Sequence, residues 1–454
     1  MVQSTISLSL REEALFHSKA GIIPGVMPRG IVFSEGIADM IMKLPQGHES
    51  RLSGFSIDGI LDETLREGSE RCMFSVPTSS KLPLIRCILK SGVKDVIFGS
   101  GPNDPNDLAD VLVRLQREGA LADQKFSFVL LLNCFEPLMP QFQAMADAVR
   151  DNITISFGMI THDSETCLFE RTVDQFRQMG FSSFRVSLLN KFGEEIDERD
   201  YESIVHQIDR AMAVGIGTIR INDSLGTLYP EAMAVLAANL RYDYPTASFC
   251  LHAHNDRGFA LQNALTSIYH GFNLIEGGFA QFGNRSGLPA IELLDRIFQE
   301  KSITLASGAL DAGAVQDASR LSEETFLVIP DLFRPISGMI VDCENMGVTN
   351  IPDYLGSSSA SRYFLNTIGL HQSTLCNIVR DLGLNDQDAI EEVAEKFRTY
   401  LDGQMREITV RKSFEYKALR GMVENFYTDD VLFSERVYDL ARDYLQHRAG
   451  MPAD

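Results

Sequence analysis

Leu251-His252-Ala253-His254-Asn255-Asp256-Arg257-Gly258 places two histidines two residues apart where an apolar run ends. Strand side chains alternate between faces, so His252 and His254 project the same way, with both imidazoles able to meet one cation. Asn255, Asp256 and Gly258 then turn the chain out of the strand. Far upstream, Asp62-Glu63-Thr64-Leu65-Arg66-Glu67-Gly68 offers a carboxylate with an arginine immediately before it. Only a fold can join so distant a pair.

Working outward, short β-rich apolar runs recur near 55–60, 95–99, 127–133, 153–158, 183–188, 217–222, 247–252 and 274–278. Helical patterns such as 81–89 and 201–208 lie between them. The intervals of roughly 26 to 40 residues are those of βαβ units, and eight in succession predict a (β/α)8 TIM barrel. The rival, a doubly wound open sheet, usually carries G-x-G-x-x-G after its first strand. Here Gly99-Ser100-Gly101-Pro102 follows the second strand and lacks the third glycine. In a barrel, Glu67 and the histidine pair fall at the C-terminal ends of strands one and seven, where barrel chemistry is found.

The predicted organisation is an N-terminal extension over 1–50, a barrel over 51–303 and helical C-terminal subdomains over 304–454, with a linker near 356–361 (Gly-Ser-Ser-Ser-Ala-Ser). Helical spacing is expected from Asp386 to Leu401 and from Thr428 to Leu445. A chain of 454 residues, 44% hydrophobic, can bury a large core. Its net charge of −21 argues against nucleic acid or an anionic membrane as partner. The seven cysteines form no C-x-x-C pair, and an odd count fits reduced thiols. No apolar run reaches spanning length, and Glu12 and Glu13 interrupt the N-terminus, so a cytoplasmic protein without a targeting segment is expected.

One carboxylate and two imidazoles suit a divalent ion (Mg, Mn or Zn, with Fe as a further option) in an open site, with water or substrate completing the shell. The motifs around Arg66-Glu67 and His252-x-His254, with Gly283-Asn284-Arg285-Ser286-Gly287, resemble in order and spacing the signatures of the DRE-TIM metallolyase superfamily. Within it the chain looks like the 2-isopropylmalate, citramalate and homocitrate synthase branch. The resemblance implies that Glu67, His252 and His254 hold the metal, which chelates a 2-oxo acid. Arg66 would then stabilise charge on the ketone oxygen as it becomes an alkoxide. Gly369-Leu370-His371-Gln372 resembles the segment that brings a catalytic histidine into synthase sites, often those of the neighbouring subunit, and a histidine suits the deprotonation of acetyl-CoA. The resemblance also implies a homodimer.

Arg185 and Ser187 share a strand face, and the R-x-S resembles the homocitrate synthase grip on the distal carboxylate of 2-oxoglutarate. A buried arginine needs an anionic partner. A substrate's second acidic group is one possibility, and a protein carboxylate is the other. Ser224 stands where the family's D-T-x-G has the threonine that binds the substrate's 1-carboxylate, and Glu70 where an amide is usual. Phe98, Leu189, Asn190, Asn284 and Leu288 also depart from the family pattern, which points to a divergent member with an unusual substrate. The expected activity is a metal-dependent Claisen-type condensation of acetyl-CoA with a 2-oxo acid resembling 2-oxoglutarate or phosphonopyruvate. The alternatives are a carbon–carbon lyase or aldolase of the same superfamily, and a non-catalytic barrel protein.

Overall fold

A computed structural model describes residues 54–160, 167–190, 196–341, 343–345 and 362–449. Eight parallel strands close into a barrel: Gly59–Asp62 (β1), Asp95–Gly99 (β2), Lys125–Leu131 (β3), Ile153–Gly158 (β4), Ser183–Asn190 (β5), Thr218–Asp223 (β6), Ser248–Ala253 (β7) and Leu274–Gly277 (β8). The ring closes where β8 pairs with β1, Ile275 opposite Ile60. Helices such as Thr78–Lys90 and Glu198–Ala213 connect the strands.

Alternation assigns each strand's two faces. Phe126, Phe128, Phe157, Val186, Ile219, Ile221, Phe249 and Ile275 point outward into the main hydrophobic core beneath the helices. Leu61, Ile97, Val129 and Cys250 come from four strands and pack together, which requires them to point inward. Asp95, Arg185, Ser187, Arg220, His252 and Glu276 share that inward parity. The interior is therefore mostly polar, and each buried charge in it needs a partner.

The first expected strand, 55–60, needs correction. Ser56–Ile57 pairs instead with Thr304–Leu305, outside the barrel, and the barrel strand begins at Gly59. By compactness the chain forms two units. One runs through Pro330 and adds Pro335–Ser337; the other comprises Asp331–Arg334 and Gly338–Asp454. The stretch 304–330 thus belongs with the barrel, and its helix Ala312–Thr325 buries Val315 and Ala318 in the barrel's core. Phe326 completes that cover: a Cβ on Gly68 would lie 2.5 Å from its ring, so only glycine fits there.

In the second unit, Gln372–Asp381 packs on the first turns of Gln387–Thr428 through Leu375, Val379, Ile390 and Ala394. The helix expected over 386–401 continues to Thr428, laced by exposed ion pairs such as Arg406 with Asp402 and Arg420 with Glu424. The one expected over 428–445 is Ser434–Ala449. The expected extension over 1–50 and the linker near 356–361 lie outside the described residues. No helix among the described residues is long and apolar enough to cross a membrane.

Candidate metal centre

The turn after β1 leads directly into the helix Thr64–Arg71, which carries Glu67 at the barrel's C-terminal mouth. His252 sits near the end of β7, and His254 follows it by one residue. His252 Nε2 lies 3.1 Å from His254 Nε2 and 3.6 Å from Glu67 Oε1, and His254 Nε2 lies 3.9 Å from Glu67 Oε1. A point about 2.1 Å from all three atoms exists within that triangle, the distance a divalent ion keeps from imidazole nitrogen and carboxylate oxygen. All three residues are buried.

Each of the three candidate ligands is aimed by a fixed contact. Asn284 donates its backbone N–H to Glu67 Oε2 (2.6 Å) and accepts from His254 Nδ1 at its carbonyl (3.3 Å). A carbonyl can only accept, so Nδ1 of His254 carries the proton and Nε2 keeps its lone pair. His252 Nδ1 lies 2.7 Å from Glu276 Oε2 and also 2.7 Å from Arg220 Nη2. The guanidinium has Glu63 as a closer acceptor, so the imidazole N–H goes to Glu276. Two imidazole lone pairs then converge on Glu67 Oε1, which also accepts from Arg66 Nη2. Such an arrangement calls for a cation.

A second cluster, Glu63, His252 and Glu276, also brings ligand atoms together. Its carboxylates are already paired: Arg220 donates through Nε to Glu276 (2.7 Å) and through Nη2 to Glu63, and its Nη1 reaches Ser187 Oγ at 2.8 Å. Arg66 donates to Glu63 (2.7 Å), Glu67 and Glu70 (2.8 Å). Glu63, Glu67 and Glu276, all nearly sealed from solvent, outnumber the two guanidiniums. The residual negative charge favours a bound cation over an empty cavity.

Burial, together with the Arg220 charge, holds the His252 imidazole well below its ordinary value, and burial lowers His254 as well. Both therefore stand neutral near pH 7, as ligation requires. Burial alone would raise Glu67, but the Arg66 guanidinium beside it lowers it on balance. Asp62, at the end of β1, behaves in the opposite way. Burial pushes it up to about 7 against the hydrogen bonds from Thr64, and its Oδ2 has no partner.

The folded state thus binds the Asp62 proton more tightly than the unfolded chain does, so this carboxyl's stabilising contribution is whole below about pH 4 and fades as pH rises toward 7. Asp62→Asn should remove that dependence. Urea titrations at pH 5 and 8 should show the variant gaining on the wild type with pH. A constant difference between the two would contradict the assignment.

The other expected site residues fall in separate places. Glu70 holds Arg66 at the mouth, with Ser100 Oγ 3.4 Å away. Ser224 follows β6, and its carbonyl accepts from Arg285 at 2.7 Å. Arg185 is buried in the interior with Nη2 on Asp95, so a protein carboxylate does occupy one arm, while Nε and Nη1 lack partners. Ser187 Oγ serves Arg220 and Asn222. His371 lies in the other unit, exposed, at the start of Gln372–Asp381. Sequence reasoning missed Glu63, Arg220 and Glu276. The signal for the last two was a long charged side chain flanked by isoleucine in a buried strand, in Thr-Ile-Arg-Ile-Asn-Asp and Leu-Ile-Glu-Gly.

Two departures from the family pattern have structural readings. Asn284 contacts the site through its backbone, so the side-chain change there leaves both contacts intact. Phe98 points into the outer core rather than the interior.

The chain resembles homocitrate synthase from Sulfolobus acidocaldarius, with 23% identity over 248 residues covering 52% of this chain and 50% of that protein. The enzyme of the same name from Sulfurisphaera tokodaii is also 23% identical, over 249 residues, covering 52% and 51%. The chain thus spans about half the length of the curated relatives it matches. Among solved structures, an HMG-CoA lyase from Acinetobacter baumannii, in complex with coenzyme A and 3-methylmalate, shares the fold at TM-score 0.51 and 19% identity, covering 65% of this chain and 98% of that one. The Bacillus subtilis HMG-CoA lyase matches at TM-score 0.51 and 17% identity, covering 61% and 95%. A family model described as HMGL-like matches residues 59–321, and with that match over more than half its length the chain belongs to the HMGL-like family, the DRE-TIM metallolyases.

Proposed function

We propose that this chain is an acyltransferase that joins the methyl carbon of acetyl-CoA to the ketone carbon of a 2-oxo acid in a metal-dependent Claisen-type condensation. The observation that carries this reading is the convergence of Glu67, His252 and His254 beside Arg66 at the barrel mouth. When bound there, a divalent ion would hold the carboxylate and ketone oxygens of the 2-oxo acid and polarise the ketone. Arg66, braced by three carboxylates, is a fixed cation for the oxygen that gains charge as the new carbon–carbon bond forms. Glu276 and Arg220 hold the His252 ring, and the backbone of Asn284 holds His254 and Glu67. His371 is the proposed base for the acetyl methyl proton. Hydrolysis of the thioester by water then releases CoA and a 2-hydroxy acid of the alkylmalate type that carries one more carboxylate than the acceptor.

The acceptor carries a second acidic group in this reading, supported by the two N–H donors that Arg185 leaves unpaired. Ser224 and Glu70 would line the remaining polar surface. The same metal and arginine would serve carbon–carbon cleavage run in reverse, and the homocitrate synthase relatives favour condensation.

The test is thiol release from acetyl-CoA with Mg, Mn or Zn and a panel of 2-oxoglutarate, oxaloacetate, phosphonopyruvate and 2-oxoisovalerate. Release with a diacid supports the proposal. Cleavage of a 2-hydroxy acid without release from any acceptor would establish the lyase instead. Arg185→Ala should raise KM for the diacid about tenfold or more while leaving a monoacid acceptor unaffected, because one charge-assisted pair is lost. Equal effects on both would remove Arg185 from substrate recognition.

A further inference from the structure

The helix Gln387–Thr428 is 42 residues long, yet only Ile390 and Ala394 of it are buried. Those two face the small core shared with Gln372–Asp381, and Phe397 and Leu401 extend the same stripe. The stripe outlasts its cover. After two adjoining steps of four at Leu401, it continues in alternating steps of three and four residues from Met405 through Ile408, Lys412, Glu415, Leu419 and Met422 to a last member, Phe426. That is the a/d spacing of a helix that packs on another helix. Ile408, Leu419 and Met422 are 46%, 53% and 63% exposed, so the following helix Ser434–Ala449 does not cover them.

The stripe is also palindromic. Outward from the midpoint between Ser413 and Phe414, Lys412 mirrors Glu415, Ile408 mirrors Leu419 and Met405 mirrors Met422. Leu401, which borders the small core, mirrors Phe426 in position. Two identical helices packed antiparallel about a two-fold axis at that midpoint set an a position against a d position in every layer. The outer layers then match apolar with apolar, and the two central layers match lysine with glutamate. A parallel pair would set lysine on lysine and glutamate on glutamate, which repulsion disfavours. Val410, Phe414 and Tyr416 are exposed off this stripe.

We propose that residues 401–428 form a self-association surface whose occupant is the same helix of a second copy, antiparallel in this register. The inference is independent of the proposed activity. Within one chain Lys412 already pairs with Glu415, but an exposed pair of that kind adds little to a helix of this length, so breaking it does not unfold the helix.

The test is sedimentation equilibrium of the full chain with Lys412→Glu, Glu415→Lys and the double exchange. Each single exchange sets like charges together in both central layers and should weaken association about tenfold or more. The double exchange restores opposite charges and should return association to the wild-type level. Leu419→Asp should dissociate the pair without loss of helical circular dichroism. If copies also meet elsewhere, these variants remove one doubling of mass and leave the other. A wild-type chain that stays monomeric, association indifferent to Lys412→Glu, or a double exchange that restores nothing would each overturn the proposal.

Discussion

Arg220→Met is expected to destabilise the barrel by about 3–5 kcal/mol, the cost of removing one partner from a buried ion cluster. Arg220 is the hinge of the interior: its three donor nitrogens reach Glu276, Ser187 and Glu63, and Nη2 also lies against His252. Methionine fills much of the same volume and carries no charge, so the loss reports electrostatics more than cavity formation. Glu63 and Glu276 would remain buried with less cationic compensation. Adding Glu276→Gln to the variant removes one of those stranded charges and should recover part of the loss, a non-additivity expected of groups sharing one network. Urea denaturation followed by circular dichroism measures both. A loss below about 1 kcal/mol, or no recovery, would mean that the cluster is solvated rather than sealed.

That network explains what the sequence made legible and what it hid. The strand count was readable because each outward face is a run of large apolar residues, such as Phe126 and Phe128 on β3, recurring at βαβ spacing. The limits of the first strand were not, because Ser56–Ile57 finds its partner at Thr304–Leu305, a pairing with no local trace. The histidines and Glu67 declared themselves through motif and parity. Arg220 and Glu276 did not, since each is an unmatched charge within its own strand until closure of the barrel brings them within 2.7 Å. Arg185 shows the same limit from the other side. Its parity was readable, but its pairing with Asp95 depends on an interior contact between β5 and β2. The long helix ran past Leu401 because exposed ion pairs and good helix formers sustain it where no core residue marks its face.

His252→Ala and His371→Ala should separate metal holding from proton transfer. In the proposed metal site His252 supplies one of three ligand atoms from a ring held between Glu276 and Arg220, so alanine would leave a two-point site. Divalent binding, measured calorimetrically with Mn or Zn on chelator-treated protein, should weaken at least about 100-fold, and CoA release should vanish with it. Stability should fall, but by less than in Arg220→Met, because the Glu63, Glu276 and Arg220 pairs persist without the imidazole. His371 belongs to the other compact unit and makes none of the contacts that hold the three ligand atoms. Its alanine variant should bind metal like the wild type and lose about 10²–10⁴ in CoA release, the range for removing a general base. Metal affinity lost in His371→Ala would make it a ligand or a fold determinant. Turnover kept in His371→Ala, with binding lost in His252→Ala, would preserve the metal site and leave the proton to another base.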